Sequence, residues 1–327
     1  MRVACADECA YAIGELAARW SFDGPLDLLQ TRHGDRFTVR VRAIRPIPPR
    51  ISLLFSEAVN HLRAALDNVI WHVVEQAQGL VTGSTAALVA LPIHDDPKKF
   101  NEWQRRRVKA GLIAFDSTNA LGQRVHAMQP FVDRGSVVSS TMPMLAALMG
   151  VEVEDAHPLK LLQSYSNSDK HRVIRPAVPR SSGGSVVHPP AGPGRAFVEL
   201  QVGDLVAEGT WGKPVPMEQT TAVLIQRPEP YSALVGPANE IGQLTAYVAH
   251  TAIPQLITGR RIPGSLPMKV DLDNSGLGVL ERLVAGDPQA AQDRLRLWTL
   301  AKYLEAEARP PTFPTTVADR STDTTDR

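Results

Sequence analysis

The sequence predicts an α+β protein with a mainly helical core around one long amphipathic helix and an antiparallel sheet of about four or five strands. Two patterns predict this class. Apolar residues recur at helical spacing between residues 51 and 78, and short β-like runs separated by Gly, Pro and Ser fill residues 173–227. The chain has 327 residues and 43% of them are hydrophobic, which is enough for a core. We therefore expect a single α+β domain over residues 1–309.

The elements before the long helix follow from their periodicity. Apolar residues at helical spacing predict a first helix over residues 3–20. The stretch "GPLDLL" is interpreted as a connection. A strand follows over residues 37–45, because Phe37, Val39 and Val41 alternate with arginines. This strand could pair with the later ones, which would place all of them in one mixed domain.

The long helix is predicted over Ile51–Gln78. Ser52 is the expected N-cap and Gly79 the expected end, because these residue types favour those positions. Its apolar stripe consists of Phe55, Val59, Leu62, Leu66, Val69 and Val73.

Shorter helices complete a helical part over residues 1–172, and one of them, "DPKKFNEWQRRRVKAGL", is basic and predicted to be exposed. The sheet is expected over residues 173–227 and C-terminal helices over residues 237–306. Residues 310–327 are rich in Pro, Thr and Asp, which predicts a disordered tail.

Composition excludes several classes of function. The net charge of +1 gives no global footprint for nucleic acid or anionic membrane. Apolar runs fall short of the ~18 residues of a membrane span, and Asp7 and Glu8 near the N-terminus do not fit a signal peptide. We therefore expect a cytoplasmic protein without a membrane partner. Cys5 and Cys9 lie one helical turn apart and are interpreted as a reduced pair. Phosphate-loop, dinucleotide-binding and hydrolase motifs are missing from the sequence, so no cofactor is predicted.

A first polar cluster follows the shoulder of the long helix. Asn60, Arg63 and Asp67 are spaced i, i+3 and i+7, so they stack on one side. A half-buried charge needs a partner. Either Arg63 and Asp67 pair within the helix, or both belong to a site.

A second polar cluster occupies residues 167–172, between an apolar helix and the predicted sheet. It contains Asn167, Asp169, Lys170, His171 and Arg172. One interpretation is a polar turn in which Asn caps the helix and Lys and Arg point to water. The alternative is a site, because these residue types serve proton transfer and phosphate binding.

The chain resembles a family of bacterial proteins of unknown function that share an "LRxALD" helix, a "QPY"-like element and an "NxDKHR" turn. Here these motifs read "HLRAALDNVIWHV", "QPF" and "HPLKLLQSYSNSDKHRVI", and the resemblance covers about residues 37–175. It implies that the motif residues form one feature, and it supplies no reaction. They are Leu62, Arg63, Ala65, Leu66, Asp67, Gln129, Pro130, Asn167, Asp169, Lys170, His171 and Arg172.

The spacing of Asn167 and His171 is similar to that of HEPN domains, helical bundles often found as ribonucleases of toxin and defence systems. The arginine that precedes the asparagine in HEPN domains is replaced by Ser166. Arg172 or Arg63 would have to supply its charge instead. HEPN domains usually act as dimers, so the resemblance also implies a homodimer.

Two functions are compatible with these residues. The first is a non-catalytic interaction or ligand-binding module built on a polar network of Arg63, Asp67, Asp169, His171 and Arg172. Further binding candidates are Asn60, Asn167, Lys170 and Gln129.

The second is a HEPN-like, metal-independent ribonuclease. His171 would be its general acid or base. Arg63 or Arg172 would hold the phosphate, and Asp67 or Asp169 would orient the histidine. The expected partner is RNA or a protein. The basic run at Arg105, Arg106, Arg107 and Lys109 is either an RNA-recruiting surface or a solvated helix face. The spacing of His61, His157, Asp169 and His171 fits no metal-ligand pattern, so no metal is predicted.

Overall fold

The computed structural model describes residues 1–149, 151–171, 178–185, 198–199, 201–213, 217–261, 266–273, 275–307 and 317–318. The helices are α1 (Arg2–Phe22), α2 (Arg50–Gln78), α3 (Gly83–Ala86), α4 (Pro97–Lys109), α5 (Ala120–Ala127), α6 (Pro143–Met149), α7 (Pro158–His171), α8 (Pro237–Tyr247), α9 (Ile253–Thr258), α10 (Val279–Val284) and α11 (Ala291–Glu307). The strands are β1 (Leu26–His33), β2 (Arg36–Ile44), β3 (Val138–Ser139), β4 (Asp155–Ala156), β5 (Val178–Ser185), β6 (Val198–Glu199), β7 (Leu205–Thr210), β8 (Met217–Gln226), β9 (Leu234–Val235) and β10 (Val317–Ala318). These elements confirm the predicted α+β class.

Helix α2 is the centre of the core. Most of its predicted stripe is buried: Phe55, Leu62 and Leu66 are 0% exposed, whereas Val69 is partly buried. Helices α1, α7, α8 and α9 pack around it. Each fully buried side chain of this size contributes about 1.5–3 kcal/mol to folding, so the stripe holds these helices together.

The two ends of α2 differ in how well the sequence predicts them. The N-cap is Pro49, and Ser52, which was the expected cap, lies within the first turn. A hydroxyl cap is not required there, because the carbonyls of Pro48 and Pro49 accept hydrogen bonds from two amides of the first turn, those of Ile51 and Ser52, at 3.1 Å each. The helix ends at Gly79 as predicted, and this residue has a φ of 85°, a conformation that glycine adopts without a Cβ penalty.

The stretch predicted as a connection forms part of β1 instead. This strand pairs antiparallel with β2, from Leu26 opposite Ile44 to His33 opposite Arg36. Gly34 opens the two-residue turn between them with a φ of 64°, as a type II′ hairpin turn requires. The prediction was wrong because apolar and polar residues do not alternate regularly in β1, and the strand is stabilised by its hydrogen bonds to β2.

The strands predicted as one sheet over residues 173–227 are divided between two sheets. Strand β7 pairs with β2, so that sheet has the order β10-β1-β2-β7. Strands β5 and β8 form the long pair of the other sheet and are flanked by the two-residue strands β6 and β9. This sheet is therefore smaller than predicted. The pairing of β2 with β7 joins residues 36–40 to residues 205–210.

Two further findings concern the predicted disordered tail and the predicted absence of a membrane span. Val317–Ala318, within the predicted disordered tail, pairs parallel with β1, and the rest of the tail lies outside the described residues. Within the described part of the chain, none of the helices is both long and apolar enough to cross a membrane.

Candidate functional site

The described part of the second polar cluster, residues 167–171, lies in a helix and not in a turn. Helix α7 continues through Asn167 and Asp169 to His171. The expected polar turn is therefore corrected to the last turns of a helix that packs against α2. The side chains of Lys170 and His171 and the whole of Arg172 lie outside the described residues.

Helices α2 and α7 are joined by a carboxylate. Asp169 accepts hydrogen bonds from the Ser56 hydroxyl and, at 3.1 Å, from the Asn60 amide. One turn further along α2, Arg63 donates to the side chain of Gln163, which precedes Asp169 on α7, at 3.5 Å, and Gln163 donates to Asn167 at 2.7 Å. The polar residues of the two helices thus meet, but they satisfy one another and leave few free atoms.

Arg63 and Asp67 turn away from Asp169 and bind the backbone of Leu91. Arg63 Nη2 donates to the Leu91 carbonyl at 2.6 Å, and Asp67 Oδ1 accepts from the Leu91 amide at 2.9 Å. The two side chains also form an ion pair at 3.3 Å, so the intrahelical pair and the tertiary contact coexist. Both are half-buried, as their positions on the shoulder of α2 predict.

Gln129 binds the same segment from the opposite direction. Its side chain is 0% exposed. The amide donates to the carbonyls of Pro92 at 3.1 Å and Val125 at 2.9 Å, and its oxygen accepts from the His94 amide at 2.9 Å. Gln129 was a binding candidate, but its polar atoms are used inside the protein.

We call Arg63, Asp67 and Gln129 the clamp. Two motifs that lie more than sixty residues apart in sequence converge on the four-residue segment 91–94. Lys160 of α7 adds an ion pair to the next residue, Asp95, at 3.3 Å, and the hydrogen bond from this lysine lowers the pKa of Asp95. The clamp therefore fixes the segment that leads into α4.

An open cleft lies where this segment meets α4. It is lined by His94, Lys99, Glu102, Trp103, Arg106 and Arg107, and its volume is about 450 Å³. Asp96 caps α4 by accepting from the Lys98 amide at 2.7 Å. Burial lowers the pKa of His94, so its imidazole is neutral at neutral pH. The cleft combines an indole, a neutral imidazole and three cations.

The charges in the cleft are incompletely neutralised. Glu102 forms an i, i+4 ion pair with Arg106 at 3.3 Å. The guanidinium of Arg107 lies over the Trp103 ring, 5.6 Å from its centroid, and its buried Nε has no hydrogen-bond partner among the described residues. A cleft of this kind favours an anion.

A second region, which the sequence pattern did not reveal, is fully sealed. Arg227 and Glu240 form a bidentate pair at 2.8 and 3.0 Å, and both side chains are 0% exposed. Arg227 also donates to the carbonyls of Glu154 and Val138, while Tyr165 donates to Glu240 at 3.1 Å. Burial raises the pKa of Glu240 against the opposing effect of Arg227. The polar atoms of this cluster bind one another and backbone carbonyls, so we assign the cluster a role in stability.

A third polar cluster surrounds Asp133. Arg261 binds this carboxylate at 2.6 Å, Ser136 donates to it at 2.7 Å, and His157 lies 3.8 Å away. Burial acts to raise the pKa of Asp133, but the hydrogen bonds from Arg261 and Ser136 outweigh it, so the pKa is lowered. The other ring nitrogen of His157, Nδ1, accepts from the Leu159 amide at 3.2 Å. This histidine therefore caps the start of α7 as a neutral imidazole.

The histidines considered for a metal site lie apart. His61 interacts with Arg2 at 3.0 Å, His157 faces Asp133, and Asp169 binds Ser56. Across the described ranges, no cluster of three or more His, Cys, Asp or Glu side chains could hold a metal ion.

The geometry thus brings the predicted residues together in two groups. Asn60 lies with Asp169, and Arg63 lies with Asp67 and Gln129 around segment 91–94. Gln163 connects Asn167 to Arg63 of the second group. The sequence did not indicate that this segment is their shared partner, because backbone amides have no signature in the residue types. No family model, no curated protein and no solved structure matches the chain, so the resemblances to the bacterial family and to HEPN domains stay predictions.

Proposed function

We propose that the protein is a non-catalytic ligand-binding module in which the clamp positions the α4 cleft, and that the cleft takes an anionic ligand. The observation that supports this most directly is the convergence of Arg63, Asp67 and Gln129 on the backbone of residues 91–94. Residues arranged for catalysis keep reactive atoms free for the substrate. The clamp atoms are instead bound to main chain.

The charge distribution supports an anion as the ligand. Helix α4 contains six basic residues and one acidic residue, within a chain whose net charge is only +1. Positive charge is therefore concentrated on one helix and balanced elsewhere. Charges in a concave site raise the local concentration of an oppositely charged ligand.

The first test measures binding of inorganic polyphosphate by isothermal titration calorimetry. Arg106→Ala combined with Arg107→Ala should weaken binding at least about tenfold, because two cations leave the cleft. The matched control is Arg40→Ala with Arg42→Ala, which removes two cations from strand β2 and should leave the affinity nearly unchanged. Equal losses in both double variants would contradict a localised anion site.

The second test separates positioning from charge. Removal of the Asp67 carboxylate alone should slightly favour an anion, since a negative charge is lost. Asp67→Ala also frees the Leu91 amide, so we expect it to weaken polyphosphate binding severalfold. Asp67→Asn keeps an oxygen that can accept from Leu91 and should retain most of the affinity. If Asp67→Ala binds as well as the unsubstituted protein, the clamp does not position the cleft.

The ribonuclease alternative gives a third outcome. Incubation with a labelled RNA should leave the RNA intact. RNA cleavage that disappears in His171→Ala, with an unchanged melting temperature, would replace the non-catalytic proposal by the nuclease.

A further inference from the structure

The basic residues of α4 extend beyond the cleft. Lys99, Arg106 and Arg107 line it, whereas Lys98, Arg105 and Lys109 are exposed on the rest of the helix. A single phosphate group would use only the first set. The second set indicates a ligand that carries several negative charges and continues along the helix.

Trp103 is held in place by its neighbours. Its ring contacts Phe100 at 5.7 Å and Phe115 at 5.0 Å between centroids, and the guanidinium of Arg107 lies over it. Phe100 and Phe115 are 0% exposed, so the indole rests on the core, while Trp103 itself is partly accessible. A fixed indole and a guanidinium plane are surfaces on which nucleic-acid bases stack.

A row of side chains on α4 places one aromatic ring between two cations. Lys99, Trp103 and Arg106 are spaced by four and three residues, so they lie on one side of α4. Phosphates alternate with bases along a nucleic-acid strand in the same way. The cavity volume of about 450 Å³ falls within the range for small-molecule sites and is sufficient for one base with its sugar.

We propose that α4 binds single-stranded nucleic acid, with one base in the cleft against Trp103 and Arg107 and with phosphates on the exposed cations of the helix. This inference rests on the proposed function and names its ligand. A duplex hides the faces of its bases in the stack, so it matches the charges but not the indole. An acidic peptide likewise supplies anions without a planar group.

The experiment measures fluorescence anisotropy of a labelled twelve-nucleotide single-stranded RNA, with unlabelled competitors. Single-stranded RNA and single-stranded DNA should compete best. Duplex RNA, polyphosphate and polyglutamate, compared at equal charge, should compete at least about tenfold less well. Competition by polyglutamate or duplex equal to that of the single strand would overturn the inference while leaving an anion site in place.

Substitution of the indole provides the specific readout. Trp103→Leu should weaken single-strand binding about tenfold or more, and this loss should be at least about threefold larger than its effect on polyphosphate binding. Trp103→Phe retains an aromatic ring and the packing, and should lose less. The matched control is Trp211→Leu, since Trp211 also stacks with an arginine, Arg32 at 4.9 Å, but lies beyond β7 at the edge of a sheet. Equal effects of Trp103→Leu on RNA and on polyphosphate would remove the stacked base from the proposal.

The salt dependence of the affinity reports how many phosphates the helix binds. The slope of log affinity against log salt should become less steep by roughly 0.7 for each phosphate that a variant no longer neutralises. Lys98 and Lys109 lie outside the cleft. The double variant Lys98→Ala with Lys109→Ala should therefore have a less steep salt slope for the twelve-nucleotide strand and an unchanged affinity for a mononucleotide. An unchanged slope would confine the ligand to the cleft and contradict a strand along α4. If Arg106→Ala with Arg107→Ala binds RNA and polyphosphate as well as the β2 control does, the proposed function fails too.

Discussion

The clamp and the Arg227–Glu240 pair are both polar structures within the fold, but they differ in their access to water. Arg63 and Asp67 are 19% and 33% exposed, whereas both members of the pair are 0% exposed. Water can replace a missing partner at the α2 shoulder and cannot do so at the pair. Solvent access, more than the number of hydrogen bonds, should therefore decide how much stability each substitution costs.

The largest effect is expected for Glu240→Gln. This substitution keeps the shape of the side chain but removes the buried bidentate carboxylate from Arg227, whose other carboxylate neighbour, Glu154, lies farther away at 3.6 Å. We expect the free energy of unfolding to fall by about 3–5 kcal/mol, measured by urea denaturation. Arg227→Met combined with Glu240→Leu removes both charges and should recover a large part of this loss. A loss below about 1 kcal/mol for Glu240→Gln would mean that water or Glu154 compensates for the missing carboxylate, and the contrast with the clamp would disappear.

Gln129 is the buried member of the clamp, so it should behave more like the pair than like Arg63. Gln129→Ala leaves the His94 amide and the Pro92 carbonyl without their partner. We expect a loss of about 2–3 kcal/mol in urea denaturation. Gln123→Ala, an exposed glutamine on α5, is the control and should change stability by less than about 0.5 kcal/mol. Equal effects of the two substitutions would separate Gln129 from the clamp.

The two regions also differ in how far the sequence predicts them. Asn60, Arg63 and Asp67 share one helix, so the helical period alone places them on its shoulder. Arg227 directly follows β8 and Glu240 lies on α8, and their separation of 13 residues fits no helical or strand spacing that would link them. The partner of Asp67 was not predictable for a similar reason, since it is a backbone amide.

Long-range pairing explains the remaining differences. The bounds of α2 follow from its apolar stripe and from Gly79, which are local signals. Strand β1 and the division of the later strands into two sheets depend on which strands pair. Strand β2 pairs with β7, which lies more than 150 residues later in the chain. Residue patterns set the faces of a strand and not its neighbours.

A pH-dependent effect on stability is expected at His157. Its side chain is 10% exposed, which is more than in the Arg227–Glu240 pair and less than in Arg63 and Asp67. The imidazole of an unfolded chain titrates near pH 6.5, and burial lowers the pKa of His157 in the folded protein, outweighing the opposing effect of Asp133. The unfolded state therefore binds a proton first as the pH falls, so stability is present above about pH 6.5 and is lost below it. Protonation of Nδ1 would also break the hydrogen bond from Leu159.

The measurement is urea denaturation at pH 7.5 and pH 5.5. Burial also lowers the pKa values of His61 and His94, so they contribute with the same sign. His157→Asn keeps an N-cap acceptor without a titrating group and should show a smaller loss between the two pH values. His157→Ala should lose about 1 kcal/mol at pH 7.5 through the missing cap. If His157→Asn loses as much stability between pH 7.5 and pH 5.5 as the unsubstituted protein does, titration of His157 does not cause the pH dependence.

The smallest effect is expected for Asn60→Ala, at the exposed end of the contact between α2 and α7. The substitution removes a hydrogen bond to Asp169 but also replaces asparagine by the residue with the highest helix propensity. These contributions are both about 0.5–1 kcal/mol, so the net change should stay within about 0.5 kcal/mol. Asn68→Ala, at another exposed position of α2, changes the propensity alone. The difference between the two variants in urea denaturation should therefore isolate the hydrogen bond at about 0.5–1 kcal/mol. A difference above about 2 kcal/mol would place this contact with the sealed pair, because water would then be unable to replace the asparagine at Asp169.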